Sequence, residues 1–357
     1  MEEKNVGTIN DLNKVEEKGK RKMFQEVNLK NFGPLKDFKW DSLKNINLII
    51  GKNGSGKTFL LKALYTAVKT IEANKRGQEH RSPSEILVDK LYWTFQERKI
   101  GDLVTRGAEG PLEFMTMFDG KNFIYKFGKD TMKEIKSIEY YVEPRDENSI
   151  FLPAKEVVSI YGIIAETRED LRAFGFDDTY RDLAEILSRP LTRGRNYEVF
   201  SSSRSALIDI IDGKLEFDEK AKVWMFKRGN QKFSIGVTSE GVKKIGILDT
   251  LLGNRYITPG SIIFIDEPDA ALHPTAVGDL LRIIAKLSSD IQFFLASHSY
   301  FVIKNLYLIA RTHNIDLPII SLDDTISINN LKEGIPKNPI IEESIELYRK
   351  DVELGFK

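Results

Sequence analysis

Residues 47–58 read N-L-I-I-G-K-N-G-S-G-K-T, and this stretch restricts what the 357-residue chain can fold into more tightly than any other. Leu48, Ile49 and Ile50 have strand composition. Residues 58–67, T-F-L-L-K-A-L-Y-T-A, carry apolar residues at helical spacing, so three glycines fall in a strand-to-helix turn. Gly51, Gly54 and Gly56 permit backbone angles that side chains disfavour, so successive N–H groups can converge on an anion at the helix N-terminus. Asn53 and Ser55 complete this loop. Lys57 is placed to bring positive charge to the β and γ phosphates of a nucleotide, and Thr58 to bring a hydroxyl to Mg²⁺. The bland alternative is a Gly-rich turn with an accidental lysine, and the flanking strand and helix count against it.

A second cluster completes such a site. Residues 261–268, S-I-I-F-I-D-E-P, form an apolar run ending in two acids. Adjacent carboxylates after a buried strand are costly unless a cation or hydrogen bonds compensate. Asp266 is therefore expected to hold Mg²⁺, and Glu267 to orient an attacking water. Residues 291–296 form a further strand closed by Ser297, His298 and Ser299. His298 thereby comes to the sheet edge that carries the phosphates, where it can contact the γ-phosphate. Upstream, T-S-E-G-V-K-K places Ser239 and Gly241 at the start of an apolar helix, a second anion site. One chain has one γ-phosphate, already cradled by Lys57, so this second site is expected to cap the nucleotide of another protomer.

The remaining chain is read around these motifs. Residues 1–23 are a charged tail. Hairpin strands from Phe24 lead into the phosphate-loop strand, a helix begins at Ser82, and runs at 112–118, 122–127 and 138–142 suggest an antiparallel sheet. The strand at 149–152 ends at Pro153, and Lys155 and Glu156 at its exit are either metal or water contacts or an ordinary junction. Residues 167–187 read as helix. Arg189, Arg193, Arg195 and Arg204 form either a basic patch or a solvated loop, and a hairpin turns through Gly229.

Composition narrows the functional classes. Hydrophobic residues make up 41%, enough for one elaborated domain or two lobes. Lys+Arg and Asp+Glu are 53 each, so nucleic-acid contact would need a local patch rather than a global field. The absence of Cys excludes disulfides, thiol catalysis and Cys-based zinc sites. No apolar run approaches the roughly 20 residues of a membrane span, and M-E-E-K-N-V-G lacks a signal-peptide core, so a cytoplasmic protein with no membrane partner is expected.

Taken in order, G-K-N-G-S-G-K-T, T-S-E-G-V-K-K, I-I-F-I-D-E-P-D-A-A-L-H-P and L-A-S-H-S resemble the ABC-type ATPases. They most resemble the SMC, RecF and OLD branch grouped with the AAA family; T-S-E-G-V stands where the family has L-S-G-G-Q. The resemblance implies an α/β fold of the P-loop NTPase class: a two-lobed head with a mixed central sheet, an antiparallel β subdomain and a helical signature subdomain. Lobe I would span about 24–155 and 255–357, with a helical lobe inserted at about 156–254. It also implies a head-to-tail homodimer holding two ATP molecules with Mg²⁺, in which Thr58 and Asp266 serve the metal, Glu267 is the catalytic base and His298 the switch histidine. Lys57 and residues 53–58 would bind one nucleotide, and Ser239 and Gly241 that of the partner. Glu156 is the nearest candidate for the family's usual glutamine. The 181 positions separating Thr58 from Ser239 are too few, and too broken by Gly and Pro, for a long coiled-coil arm. The expected function is an ATPase whose ATP-gated dimer clamps or regulates DNA or a DNA-acting, neighbouring-gene partner in repair or anti-phage defence. The energy-coupling subunit of a transporter and a small-molecule kinase are the alternatives.

Overall fold

The computed structural model describes residues 23–355 except 193, 195 and 324. The charged tail, save Met23, and Arg193 and Arg195 of the expected basic patch lie outside the described residues. The chain opens with β1 (Phe24–Phe32) and β2 (Leu35–Trp40), followed by β3 (Ile46–Ile50) and helix α1 (Lys57–Ala73). Helix α2 (Pro83–Phe95) starts with a capping box. Ser82 Oγ accepts the Glu85 N–H, and Glu85 Oε2 accepts the Ser82 N–H at 2.8 Å, satisfying two orphan donors. Strands β4 (Leu112–Phe118), β5 (Lys121–Phe127) and β6 (Ser137–Tyr140) follow, then β7 (Ser149–Leu152).

The middle segment contains α3 (Tyr161–Ala165), α4 (Asp178–Leu187), α5 (Glu198–Ile211), the strands β8 (Lys214–Asp218), β9 (Val223–Arg228) and β10 (Gln231–Ser234), and α6 (Glu240–Gly253). The chain then alternates β11 (Ile262–Asp266), α7 (Pro274–Leu287), β12 (Gln292–Ser297), α8 (Tyr300–His313), β13 (Pro318–Leu322), β14 (Ile326–Asn330) and α9 (Pro339–Gly355). Among the described residues no helix is long and apolar enough to cross a membrane.

The hairpin and the three following strands, expected separately, form one antiparallel sheet in the order β2-β1-β4-β5-β6. The central sheet has the order β14-β13-β3-β12-β11-β7, parallel except for β14. Its inner strands are buried on both faces, which explains their continuous apolar runs. Phe151, Phe264 and Phe294 occupy one register row across β7, β11 and β12 and stack with interplanar angles of 14°. Tyr65 of α1 meets this row edge-on, as do Phe24 and Trp40 of the antiparallel sheet. Side chains two apart on a strand share a face. Asp266 therefore emerges on the Phe264 face, the one covered by α1.

Two expectations change in the middle segment. The helix expected over 167–187 is broken: a π-helical turn (Glu166–Asp170) ends, and α4 begins only after Asp177. The Asp177 carboxylate accepts the Thr179 N–H at 2.8 Å, an N-cap that restarts the helix. The segment is also not purely helical, because β8 joins the expected hairpin in a three-stranded antiparallel sheet. This sheet lies so close to α6 that a Cβ on Gly246 would come within 2.6 Å of Leu215.

Candidate functional site

Parallel pairing aligns the tips of β3, β12 and β11: Ile50 is opposite Ser297, and Ala296 is opposite Asp266. The phosphate loop, the two adjacent acids and His298 all follow these tips. Gly56, at φ +98°, is the N-cap of α1, and Gly51 leaves β3 so close to the Leu322 carbonyl that a Cβ would come within 2.7 Å of it. The Lys57 ammonium folds back over the loop and donates to the carbonyls of Gly51 (2.8 Å) and Lys52 (3.0 Å). The loop is also pinned from β13: the Lys52 N–H donates to Asp323 Oδ1, whose other oxygen accepts from Ser321 and Asn338.

The Thr58 hydroxyl donates to Asp266 Oδ2 at 2.8 Å, whereas Asp266 Oδ1 is buried with no partner. Burial raises the Asp266 pKa above the usual carboxylate value, against the pull of the Thr58 hydrogen bond and of Lys57, Lys244 and Lys62. A buried orphan oxygen beside a threonine hydroxyl is a donor set that suits a hard cation. Among the described residues no cluster of three or more His, Asp or Glu could itself hold a metal.

Glu267 follows in the left-handed region, at φ +50°. Its N–H donates to Ala296 O at 2.9 Å, and its Oε1 lies 2.7 Å from Nδ1 of the half-exposed His298. Burial raises its pKa, opposed by His298 and reinforced by Asp266 and Asp269. A cleft of about 340 Å³ is lined by Pro34, Asn53, Gly54, Gly56, Lys57, Thr58, Phe59 and Glu267. The structure thus brings the phosphate loop, Thr58, Asp266, Glu267 and His298 together at one sheet edge.

Other candidates lie elsewhere. Ser239, the N-cap of α6, is exposed, and its side chain makes no capping hydrogen bond. Gly241 is buried instead: a Cβ there would come within 2.6 Å of the Ala271 carbonyl of its own chain, so its smallness serves packing. Glu156, considered for the metal or attacking water, is turned away to the inserted segment. It accepts the Ser159 N–H at 3.0 Å, faces Lys243 at 3.5 Å, and does not line the cleft. Lys155 is exposed. Arg204, expected in a basic patch, is spent on the buried Asp249, with Nε to Oδ1 at 2.8 Å.

The sequence reading missed Lys244, whose ammonium donates to the Glu267 carbonyl and whose pKa burial lowers to about 8, opposed by Asp269, Asp266 and Glu267. It also missed Asp269, which accepts from Ser297 Oγ at 3.1 Å, and Asp323. Asp269 stood in the quoted D-E-P-D motif and Lys244 at the end of the quoted T-S-E-G-V-K-K; nothing local marked Asp323.

A family model described as "AAA domain, putative AbiEii toxin, Type IV TA system" matches residues 46–304. Two curated relatives, each a DNA replication and repair protein RecF from Lactococcus lactis subsp. cremoris (strains MG1363 and SK11), are 31% identical over 98 residues. Those residues are 27% of this chain and 25% of theirs, so the match spans about a quarter of each relative. Among solved structures, the Pyrococcus furiosus Smc head domain with an extended coiled coil, bound to the C-terminal domain of ScpA, aligns with a TM-score of 0.51. The alignment covers 92% of this chain and 99% of that one at 13% identity, a likeness of fold alone. With the family model covering both β3 and His298, and the site built at the shared edge of the sheet, the chain belongs to this AAA-domain family and has a fold like that of an Smc head.

Proposed function

We propose that the chain binds ATP with Mg²⁺ at the cleft after β3, hydrolyses it, and does so as a head-to-tail homodimer. The observation that carries this reading is the Thr58–Asp266 hydrogen bond, with its orphan Oδ1, beside the cleft that Glu267 lines. In this reading the N–H groups of residues 53–58 and the Lys57 ammonium bind the β and γ phosphates. Thr58 and Asp266 hold Mg²⁺, which neutralises phosphate charge when bound. Glu267 accepts a proton from water at its carboxylate; a base whose proton affinity is raised by burial suits that task. His298 holds Oε1 in place and faces the γ-phosphate.

The exposed Ser239 at the α6 N-terminus supports a second protomer's nucleotide as its partner. The lobe division follows: 24–155 with 255–357 around the central sheet, and 156–254 inserted between β7 and β11. The relatives' printed roles in DNA replication and repair, and the toxin named in the family description, favour DNA or a DNA-acting protein as what the dimer clamps or regulates. The test is light scattering of the Glu267→Gln variant with ATP and Mg²⁺. A stable dimer that dissolves on removing nucleotide is expected; a monomer at saturating ATP overturns the dimer.

A further inference from the structure

Three parts of the chain grip Glu267. Its N–H is held by the Ala296 carbonyl of β12, its Oε1 by His298, and its own carbonyl by the Lys244 ammonium at 2.5 Å. The first two come from β12 and the residue directly after it. The third comes from α6, the inserted helix that begins directly after Ser239. A residue other than glycine at φ +50° stays there only because its surroundings over-determine it. The direction of the Glu267 side chain therefore depends on what holds the peptide between Glu267 and Pro268, whose carbonyl accepts from the Ala270 N–H of its own turn at 3.1 Å and, from outside that turn, from Lys244.

The rest of α6 is arranged to make this grip definite. Lys243 turns the other way and is buried against Glu156 at the exit of β7, with Glu240 as a second partner at 2.8 Å. Gly241 lies so close to the Ala271 carbonyl that a Cβ there would come within 2.6 Å of it, which packs the first turn of α6 directly against the loop after Glu267. Lys244 is left facing Asp266, Glu267 and Asp269. A displacement of the α6 N-terminus is thus passed to the Glu267 carbonyl, with little slack to absorb it.

We propose that Lys244 is a positioning residue for Glu267, passing the placement of Ser239 and the α6 N-terminus to the carboxylate that activates water in the same chain. This rests on the reading of Glu267 as the base of ATP hydrolysis. A nucleotide held by one protomer and touching Ser239 of the other would then prime the other's own cleft, so the two sites fire conditionally on each other.

The test replaces the ammonium at nearly constant volume, Lys244→Met. In the nucleotide-free protein, amide exchange over residues 267–272 should accelerate at least ~5-fold, while β3 and β11 stay as protected as in the parent. With ATP and Mg²⁺, kcat should fall ~10-fold or more, since small misplacements of a catalytic group are costly, while Kd for a non-hydrolysable analogue stays within about 2-fold. Combined with Ser239→Ala, the double variant should be no slower than Lys244→Met alone. Losses that multiply would show two independent effects and overturn the relay. Unchanged exchange, or unchanged kcat in a parent that turns over ATP, overturns the role of Lys244 and leaves the ATPase reading standing. A parent that binds ATP without turnover overturns that reading and this inference with it. Should Lys244→Met not fold, Lys244→Gln is read by the same outcomes.

Discussion

Across β7, β11 and β12 the protein stacks Phe151, Phe264 and Phe294 in a dry row. Between α1, α2, α4 and the π-helical turn before α4 it sets the half-buried Lys62 on Asp177 and pairs both the half-buried Lys90 and Arg168 with the buried Asp178. Asp182 completes the second region, accepting the Tyr65 hydroxyl at 2.7 Å with Lys90 3.7 Å away. Apolar packing rewards any close fit, so the sheet gains stability wherever its strands stay together. Buried ion pairs roughly repay their own desolvation and contribute little net stability, yet they fix geometry and fail abruptly when one partner is lost. The sheet therefore keeps the strand tips beside the cleft rigid, and the ionic face sets where α4 and the turn before it sit. Lys62 lies on α1 only five positions after Lys57, so that placement is passed directly to the helix that starts at the phosphate loop.

The largest effect tests whether the cleft belongs to the rigid side alone. Lys57→Ala should weaken ATP binding ~10³-fold, about 4 kcal/mol, by removing two charge-assisted hydrogen bonds to phosphate. Because the hydrogen bonds of Lys57 among the described residues go to two loop carbonyls and its charge otherwise faces Asp266, thermal stability without nucleotide should change little. Calorimetric titration checks this, and undiminished affinity removes Lys57 from the site. Next, Glu267→Gln should lower kcat ~10²- to 10⁴-fold, the range of a lost general base, at unchanged ATP affinity. A variant that hydrolyses ATP like the parent ends that assignment.

Asp182→Ala turns to the ionic side. Burial alone would push the Asp182 pKa up, but Lys90, Lys69 and the Tyr65 hydroxyl outweigh it and hold the carboxylate below its usual range. Removing it leaves the buried Tyr65 hydroxyl without its acceptor and Lys90 with Asp178 alone, and should cost about 3 kcal/mol in urea unfolding. A loss under about 1 kcal/mol would mean that the inserted segment is docked by its apolar contacts instead.

This contrast also decided what could be read from residues alone. β3, β11 and β12 are legible because strands buried on both faces leave unbroken apolar runs, and the motifs sit where those runs stop. The ionic face is invisible by comparison: Asp177, Asp178 and Asp182 look like the polar side of an ordinary helix, and their cations lie 88 or more positions away for Lys90 and 115 for Lys62. β8 escaped notice because K-L-E-F-D alternates for only five residues directly after α5. In K-K at 243–244 nothing tells which lysine faces Glu156 and which faces Glu267. The break before α4 was readable in principle, since F-G-F-D-D combines a glycine with a capping aspartate.

The smallest effect separates two serines that look alike in sequence. Ser82 and Ser239 each stand at a helix N-cap with a glutamate nearby, but only Ser82 closes a capping box on its own backbone. Ser82→Ala should therefore cost about 1 kcal/mol of stability and leave ATP turnover alone. Ser239→Ala gives up no cap and should shift stability by less than about 0.5 kcal/mol, the usual range for an exposed substitution. If its hydroxyl serves the partner's nucleotide, kcat should still drop roughly 5-fold, the worth of one hydrogen bond of about 1 kcal/mol. The drop should grow with protein concentration as dimers fill, which turnover at several concentrations would resolve. A Ser239→Ala protein that loses stability but not turnover would make Ser239 a second Ser82, and α6 an ordinary capped helix with nothing across the interface to sense.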